Sequence, residues 1–137
     1  MNLTLQFPKS PKEKVAGLVH VARMADKARA SQNDTLGEYI YPCPLDKMLL
    51  EFLEITDKEF LQKANQHSLA EIEQWVAKLC ESRTVESIAK FNREFLGQQP
   101  DNDESWKKFR ETRDKLAPSR TDIRTWVDLI DLEEGRS

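Results

Sequence analysis

Apolar residues recur at helical spacing along most of this chain. Between residues 45 and 53, for example, they stand at i, i+3, i+4, i+7 and i+8, which places them on one face of a helix. The main body has no long alternation of apolar and polar residues of the kind that predicts a β-strand. The pattern therefore predicts an all-α fold, a compact bundle of about six to seven helices.

Capping residues mark where the helices start. Ser10 followed by Pro11 and Glu13 is typical of an N-cap, a first helical position and a capping-box partner. A first helix is therefore predicted to run from there to about Ala30. Further starts are predicted at Pro44 or Leu45, Thr56, Ser68 and Thr84, and two last helices around residues 106–116 and 122–132.

Two segments are predicted to be extended rather than helical. Residues 1–9 form an arm of alternating apolar and polar residues. The side of the arm with Leu3, Leu5 and Phe7 is expected to lie on the core. Residues 37–46, called the strip below, read GEYIYPCPLD. Its two prolines exclude a helix up to the second of them, so the strip is expected to be extended until the second helix begins.

A short motif occurs twice. The pattern EIxxWVxxL that begins at Glu71 recurs as DIxxWVxxI at Asp122, each after a helix that carries a Phe. We interpret residues 56–81 and 106–132 as two related helix pairs, with coincidence as the alternative. Two copies are too few for a solenoid, so a pseudo-symmetric bundle is expected. The length of 137 residues predicts one domain over residues 1–137. Its predicted parts are the arm (1–9), the first helix, strip and second helix (10–54), and the two helix pairs.

Charge and hydropathy argue against two classes of function. The net charge is −3, and a solvated helix accounts for the excess of Lys and Arg among the first 30 residues, so nucleic-acid binding is not expected. No apolar run approaches the roughly 18 residues of a membrane span, and the N-terminus lacks a signal-peptide core. With 39% hydrophobic and 33% charged residues, a cytoplasmic protein with one sizeable core is expected.

Metal, cofactor and catalytic motifs are absent from the sequence. Cys43 and Cys80 stand far apart and form no CxxC or Cys/His spacing, so neither a metal nor a cofactor is expected. A reducing interior is favoured over a single disulfide, which stays open. Because no glycine-rich phosphate loop, HExxH or GxSxG motif is present, an enzyme is not the favoured interpretation.

Charged residues of the first predicted helix form the main candidate site. Asp26 and Arg29 fall on the arc of apolar residues that faces the core. Arg23 and Lys27 lie on its flank, and His20 near the outer side. Because a buried charge needs a partner, these side chains either form a sealed salt-bridge network with the strip or converge with it on a polar ligand. The candidate residues are Arg23, Asp26, Lys27 and Arg29, with Glu38, Tyr39, Tyr41 and Asp46 of the strip.

Cys43 lies between two prolines near the predicted start of the second helix, where a thiolate is favoured. A nucleophile also needs a base, and His20 could reach the thiol only if the strip folded back over the outer face of the first helix. A buried structural thiol is therefore the expected role of Cys43. Cys80 is expected to lie in the core.

Three segments of the chain are specific enough to carry a resemblance: RMADKAR, EYIY and SRTDIRTW. With the runs around them they cover nearly the whole chain and resemble the bacterial family catalogued as domain of unknown function 5069. The resemblance implies a small, mostly helical, stand-alone cytoplasmic protein. It implies no reaction and no catalytic residue.

The favoured hypothesis for function is a non-enzymatic helical domain that binds a polar small molecule, a protein partner or a second copy of itself. The alternative is a small-molecule enzyme in which Arg23 and Arg29 hold an anion and Asp26 or Asp46 acts as acid or base. Weak nucleic-acid contact through the basic N-terminal segment is a third hypothesis.

Overall fold

The computed structural model describes residues 1–136 and is mostly helical, which confirms the predicted fold class apart from one small hairpin. The strands are β1 (Lys14–Val15) and β2 (Leu18–Val19). The helices in this part of the chain are α1 (Val21–Gln32), α2 (Pro44–Leu53), α3 (Asp57–Gln66), α4 (Leu69–Leu79), α5 (Val85–Leu96), α6 (Asp103–Leu116) and α7 (Trp126–Glu133).

The first helix begins at Val21, so the prediction of a helix from Ser10 is wrong for residues 10–20. β1 and β2 pair antiparallel in that region. The turn between them places Ala16 at φ 54° and Gly17 at φ 81°. Both angles lie in the left-handed region that tight two-residue hairpin turns require, and a helix cannot continue through it.

The hairpin imitates a helix in its burial pattern. Val15, Leu18 and Val19 are all buried, and their spacing of three and four residues is also that of a helix face. Asn92 holds the hairpin in place, because its amide donates to Gly17 O at 2.9 Å and its side-chain oxygen accepts from Val19 N–H at 3.1 Å. Apolar spacing alone therefore could not separate the two structures.

The N-terminal arm lies on the core at one residue and then turns away. Leu3 is buried, and its N–H donates to Thr35 O at 2.9 Å. Leu5 and Phe7 are 82% and 57% exposed, because the chain turns at residues 3–5 and bends at residue 6. The prediction of an arm with one buried side is therefore wrong beyond Leu3. Ser10, the predicted N-cap, precedes a turn instead of a helix.

Helices α3 and α4 begin where their capping residues predict, and α2 begins at Pro44, one of its two predicted starts. The side chains of Thr56 and Ser68 each accept a hydrogen bond from the N–H of the Glu three residues on, and that Glu accepts in return from the N–H of the cap. Cys43 has the same role in α2. Its Sγ accepts from Asp46 N–H, and the Asp46 carboxylate accepts from Cys43 N–H. This capping box fixes the thiol at the N-terminus of α2.

The strip contains no helix before α2, as its prolines predict. It is a series of turns, so the prediction of an extended conformation is wrong. The Tyr41–Pro42 peptide bond is cis, and Gly37 has φ 62°. The turns carry Cys43 back to α1, where its sulfur lies 3.1 Å from Lys27 Nζ.

Two compact units divide the chain after Asn92. In the first unit α1 packs on α3, and all the residues of α1 from Val21 to Ala28 are buried. Several of these buried residues are charged, so polar groups lie inside this unit. The second unit has its own apolar cluster, formed by Trp106, Phe109, Ile123, Trp126, Leu129 and Leu132.

The two copies of the repeated motif differ in structure. Ile72 lies inside α4, whereas Ile123 precedes α7, which begins at Trp126 with Thr125 as its N-cap. The prediction that the last helix begins near residue 122 is therefore wrong by about one turn. Both isoleucines are buried, so the motif keeps its apolar role without its helix boundary. An internal duplication stays a prediction.

Candidate functional site

Asp46 is the centre of a buried polar cluster in the first unit. Its side chain has an exposed fraction of 0%. Oδ2 accepts hydrogen bonds from Lys27 Nζ at 2.7 Å and from Cys43 N–H at 2.9 Å, and Oδ1 lies 2.6 Å from His20 Nε2. Burial alone would raise the pKa of Asp46, but the hydrogen bonds and charges of His20 and Lys27 outweigh it and lower the pKa to about 2.

His20 reaches Asp46 from the residue just before α1, where its backbone is left-handed at φ 75°. Its side chain is buried, and burial lowers the pKa of His20 although Asp46 opposes the shift. We assign a neutral imidazole whose Nε2–H donates to the carboxylate, because an ionised carboxylate can only accept. The prediction that His20 lies near the outer side is wrong, since it assumed a helix that began at Ser10.

Lys27 lies between a carboxylate and a thiol. Its side chain is 4% exposed, and Nζ is 2.7 Å from Asp46 Oδ2. The same nitrogen is 3.1 Å from Cys43 Sγ. An ammonium group removed from water needs such partners, because a buried charge without them is strongly destabilising. The two contacts hold the nitrogen at a fixed distance from the sulfur.

The sulfur of Cys43 accepts from two donors. Besides Lys27 Nζ, the Asp46 N–H at the start of α2 points to Sγ at 3.5 Å. Cys43 is a half-buried free thiol, and Cys80 is a buried one. An ammonium group and the N-terminus of α2 therefore both lie against the sulfur. We call His20, Lys27, Cys43 and Asp46 the thiol cluster.

Arg23 and Asp26 hold the N-terminal arm on α1. Asp26 Oδ2 accepts from Lys9 N–H at 2.9 Å, and Arg23 donates to Lys9 O at 3.2 Å. The Arg23 guanidinium carbon also lies 5.5 Å from the centroid of the Tyr39 ring, a cation–π contact. The predicted pairing of Asp26 with Arg29 is a contact of 4.0 Å. These contacts tie separate chain segments together.

Arg29 and Tyr41 both bind the backbone of α3. Arg29 donates to Ala64 O at 2.8 Å and to His67 O at 3.1 Å, at the C-terminal end of that helix. The Tyr41 hydroxyl donates to Asp57 O at 2.6 Å, and burial raises the pKa of Tyr41. Arg29 therefore binds carbonyl groups that the C-terminal end of α3 leaves without a helical partner. Tyr41 binds a carbonyl group at the start of the same helix.

The structure distributes the sequence candidates over separate places. Lys27 and Asp46 lie in the thiol cluster, Arg23, Asp26 and Tyr39 at the arm, Arg29 and Tyr41 at α3, and Glu38 is exposed. His20 and Cys43 complete the cluster but are not among those candidates. Two signals point to them: Gly17 interrupts the helical pattern, and the spacing of Cys43 and Asp46 is that of a capping box.

A groove of about 300 Å³ lies along α3 and α4. Lys63 Nζ stands 5.5 Å from the centroid of the Trp75 ring, and Lys78 also lines the groove. His67 Nδ1 lies 3.3 Å from the Glu71 carboxylate at the same place. Trp75 is half-buried, so its ring is available to a ligand. Two lysine side chains in one groove suit an anionic group.

Two kinds of site are absent from residues 1–136. No group of three or more His, Cys, Asp and Glu side chains there is arranged to hold a metal ion. None of the helices in that range combines the length and the apolar character needed to cross a membrane.

The fold and the thiol cluster define a mostly helical protein with a buried Lys–Asp–His group beside a cysteine. Over residues 5–136 the sequence matches the model of the family described as domain of unknown function (DUF5069). The chain therefore belongs to this family, as its resemblance indicates. No match was found among curated proteins.

Proposed function

We propose that this protein uses Cys43 as a nucleophilic thiol toward small electrophiles, with hydroperoxides as the favoured class. The observation that carries the proposal is the distance of 3.1 Å between Lys27 Nζ and Cys43 Sγ. An ammonium group in contact with the sulfur stabilises the thiolate, and the thiolate is the form that attacks a peroxide oxygen. In this proposal a cation beside the thiolate activates the cysteine, and no nitrogen base beside the thiol is required.

Asp46 and His20 act in this proposal as positioning residues. The low pKa of Asp46 keeps its carboxylate ionised throughout the physiological range, so Lys27 keeps its anionic partner. His20 donates to the other carboxylate oxygen and fixes the orientation of the group. The arrangement leaves Lys27 Nζ pointing to the sulfur, which is half-buried and within reach of a small molecule.

The proposal is tested by the rate at which Cys43 forms a sulfenic acid with hydrogen peroxide, measured by trapping with dimedone and peptide mass spectrometry. We expect Lys27→Met to slow the reaction at Cys43 about tenfold, because the cation is lost. Lys47→Met is the matched control, since Lys47 is exposed and adjacent to Asp46 in sequence. Equal rates in the wild-type chain and Lys27→Met would show that Lys27 does not activate the thiol.

A bacterial cytoplasm is the setting that suits this chemistry. Both cysteines are free thiols, and a reducing compartment returns an oxidised cysteine to that state. The partner in this proposal is a small electrophile, so neither a nucleic acid nor a membrane is required.

A second candidate function, binding of an anionic ligand or an acidic peptide, rests on the groove along α3 and α4. Its support is the position of Lys63 over the Trp75 ring, with Lys78 beside them. A titration with benzoate as the probe, followed by tryptophan fluorescence, tests it. A saturable change that is absent in Trp75→Phe supports binding in the groove, and an identical response of that variant contradicts it.

A further inference from the structure

We infer that oxidation of Cys43 leads to a covalent sulfur–nitrogen bond between Cys43 Sγ and Lys27 Nζ. The inference rests on the proposed function, since it requires that a hydroperoxide oxidises the thiol. It adds a modification site, a reversible cross-link between α1 and the N-terminus of α2. The product is a sulfenamide, formed by two side chains of the same chain.

The geometry favours this bond over other fates of an oxidised Cys43. Lys27 Nζ is already 3.1 Å from Sγ, and its other contact, with Asp46 Oδ2 at 2.7 Å, keeps the nitrogen in that place. The Lys27 side chain is 4% exposed, so it has little freedom to move away. A nucleophile held against its electrophile reacts far faster than one that arrives by diffusion.

The first step oxidises the sulfur. The Cys43 thiolate attacks one oxygen of the hydroperoxide, an S–O bond forms, and the O–O bond breaks. The sulfur loses two electrons and the peroxide gains them. The leaving oxygen takes a proton and departs as water, or as an alcohol if the peroxide is organic. The product on the protein is a sulfenate, which is in equilibrium with the sulfenic acid.

The second step joins the side chains without a further oxidant. The Lys27 ammonium gives a proton to the adjacent sulfenate oxygen, which makes a neutral amine and a sulfenic acid. The amine lone pair then attacks Sγ, an S–N bond forms, and the S–O bond breaks. The oxygen leaves as water with a second proton from the nitrogen. Overall one thiol, one amine and one hydrogen peroxide give one sulfenamide and two water molecules.

The bond changes the charge inside the first unit. Lys27 loses its positive charge, so the buried Asp46 carboxylate no longer has an ammonium group at 2.7 Å. A buried carboxylate that loses a cationic partner is strongly destabilised. Oxidation therefore acts on the contact between α1 and the start of α2, and reduction by a thiol restores it.

The test uses the full chain with Cys80→Ala, so that a disulfide cannot form within one molecule. After hydrogen peroxide treatment and non-reducing tryptic digestion, we expect residues 24–29 linked to residues 30–47, with Lys27 uncleaved. The linked pair should weigh two hydrogen atoms less than its separate parts. Dithiothreitol should release both peptides.

Lys27→Arg is the decisive variant, because it keeps a cation beside the sulfur but lacks the amine. We expect Cys43 to be oxidised in this variant and to stop at the sulfenic acid, which dimedone traps. Lys47→Arg should still form the linked pair. Circular dichroism checks that each variant is folded. The linked pair in the chain that keeps Lys27 tests the bond even if Lys27→Arg does not fold.

Each remaining outcome has one meaning. If Cys43 is oxidised rapidly but trypsin still cleaves after Lys27 and sulfinic acid accumulates, the cross-link is refuted and the proposed function stands. A linked pair that retains one oxygen atom refutes the direct S–N bond. If Cys43 is not oxidised at all under conditions that oxidise it in the unfolded chain, the proposed function fails and the cross-link fails with it.

Discussion

Lys27 Nζ lies 2.7 Å from Asp46 Oδ2 and 3.1 Å from Cys43 Sγ, so one buried ammonium group bridges a carboxylate and a thiol. The two acceptors are held together by the capping box at the N-terminus of α2. The donor comes from the middle of α1. The contact of Lys27 with both groups therefore depends on the turns that bring the strip back to α1.

Asp46→Asn should destabilise the fold at neutral pH by roughly 3 kcal/mol, because it leaves the buried Lys27 without its anionic partner. The free energy of unfolding in urea measures the effect. Glu38→Gln is the matched control, since that carboxylate is exposed, and its effect should be within about 0.5 kcal/mol. A loss below about 1 kcal/mol in Asp46→Asn would contradict a tightly paired cluster.

Acid should weaken the fold in two stages. The folded pKa of His20 is below its ordinary 6.5, so the neutral ring stabilises the fold above that pH and the contribution declines as pH falls. The folded pKa of Asp46 is about 2 against an ordinary 3.8, so its contribution of roughly 2 kcal/mol is present above pH 3.8 and is lost as pH falls towards 2.

Burial raises the pKa of Asp26, and this changes the stability of the fold in the opposite direction. The folded state binds the Asp26 proton more readily than the unfolded state, which opposes the loss of stability on acidification. The difference in unfolding free energy between the wild-type chain and Asp46→Asn therefore isolates Asp46. We expect this difference to shrink between pH 4 and 2. A difference that stays constant over that range would mean that Asp46 does not have a depressed pKa.

Ala16→Gly and Gly17→Ala should change the stability of the fold in the directions opposite to those expected in a helix. Both residues have positive φ in the hairpin, so Gly at position 16 should be neutral or stabilising, and Ala at position 17 should cost about 1 to 2 kcal/mol. A helix from Ser10 would reverse both effects, because Ala is the better helix former. Thermal unfolding of the two variants decides between the structures.

Arg29→Ala should destabilise the first unit by roughly 2 kcal/mol, because two charged hydrogen bonds to carbonyls at the end of α3 are lost. Arg110→Ala on the exposed face of α6 is the control and should change the melting temperature little. Equal melting temperatures for the two variants would show that Arg29 does not secure α3 to α1.

Local signals in the sequence predict the starts of α3 and α4 well and the site poorly. The caps at Thr56 and Ser68 depend on residues three positions apart, so the starts of α3 and α4 could be read directly. The hairpin could not, because Val15 and Leu18 are buried at a spacing that a helix shares. A helix from Ser10 places His20 near the outer side, whereas the helix that starts at Val21 leaves His20 buried beside Asp46.

The thiol cluster joins residues that are distant in sequence. The sequence predicts Lys27 as a site residue on the flank of the apolar arc and Asp46 as a residue of the strip, and both inferences are local. His20 meets Asp46 across 26 positions, and Lys27 meets Cys43 across 16. Those contacts depend on turns of the strip that proline positions do not specify, so the partners of each charge could be known only from the fold.

The most direct test of thiol activation compares one chain in two states. The rate of alkylation of Cys43 by iodoacetamide is measured by peptide mass spectrometry in the folded protein and in the same protein unfolded in urea, with Cys80 as the internal reference. Burial raises the pKa of Cys80, so folding should slow its reaction. If Lys27 and the start of α2 activate the thiol, Cys43 should react faster in the folded chain than in the unfolded one. If folding slows Cys43 as it slows Cys80, the thiol cluster stabilises the fold and does not activate Cys43.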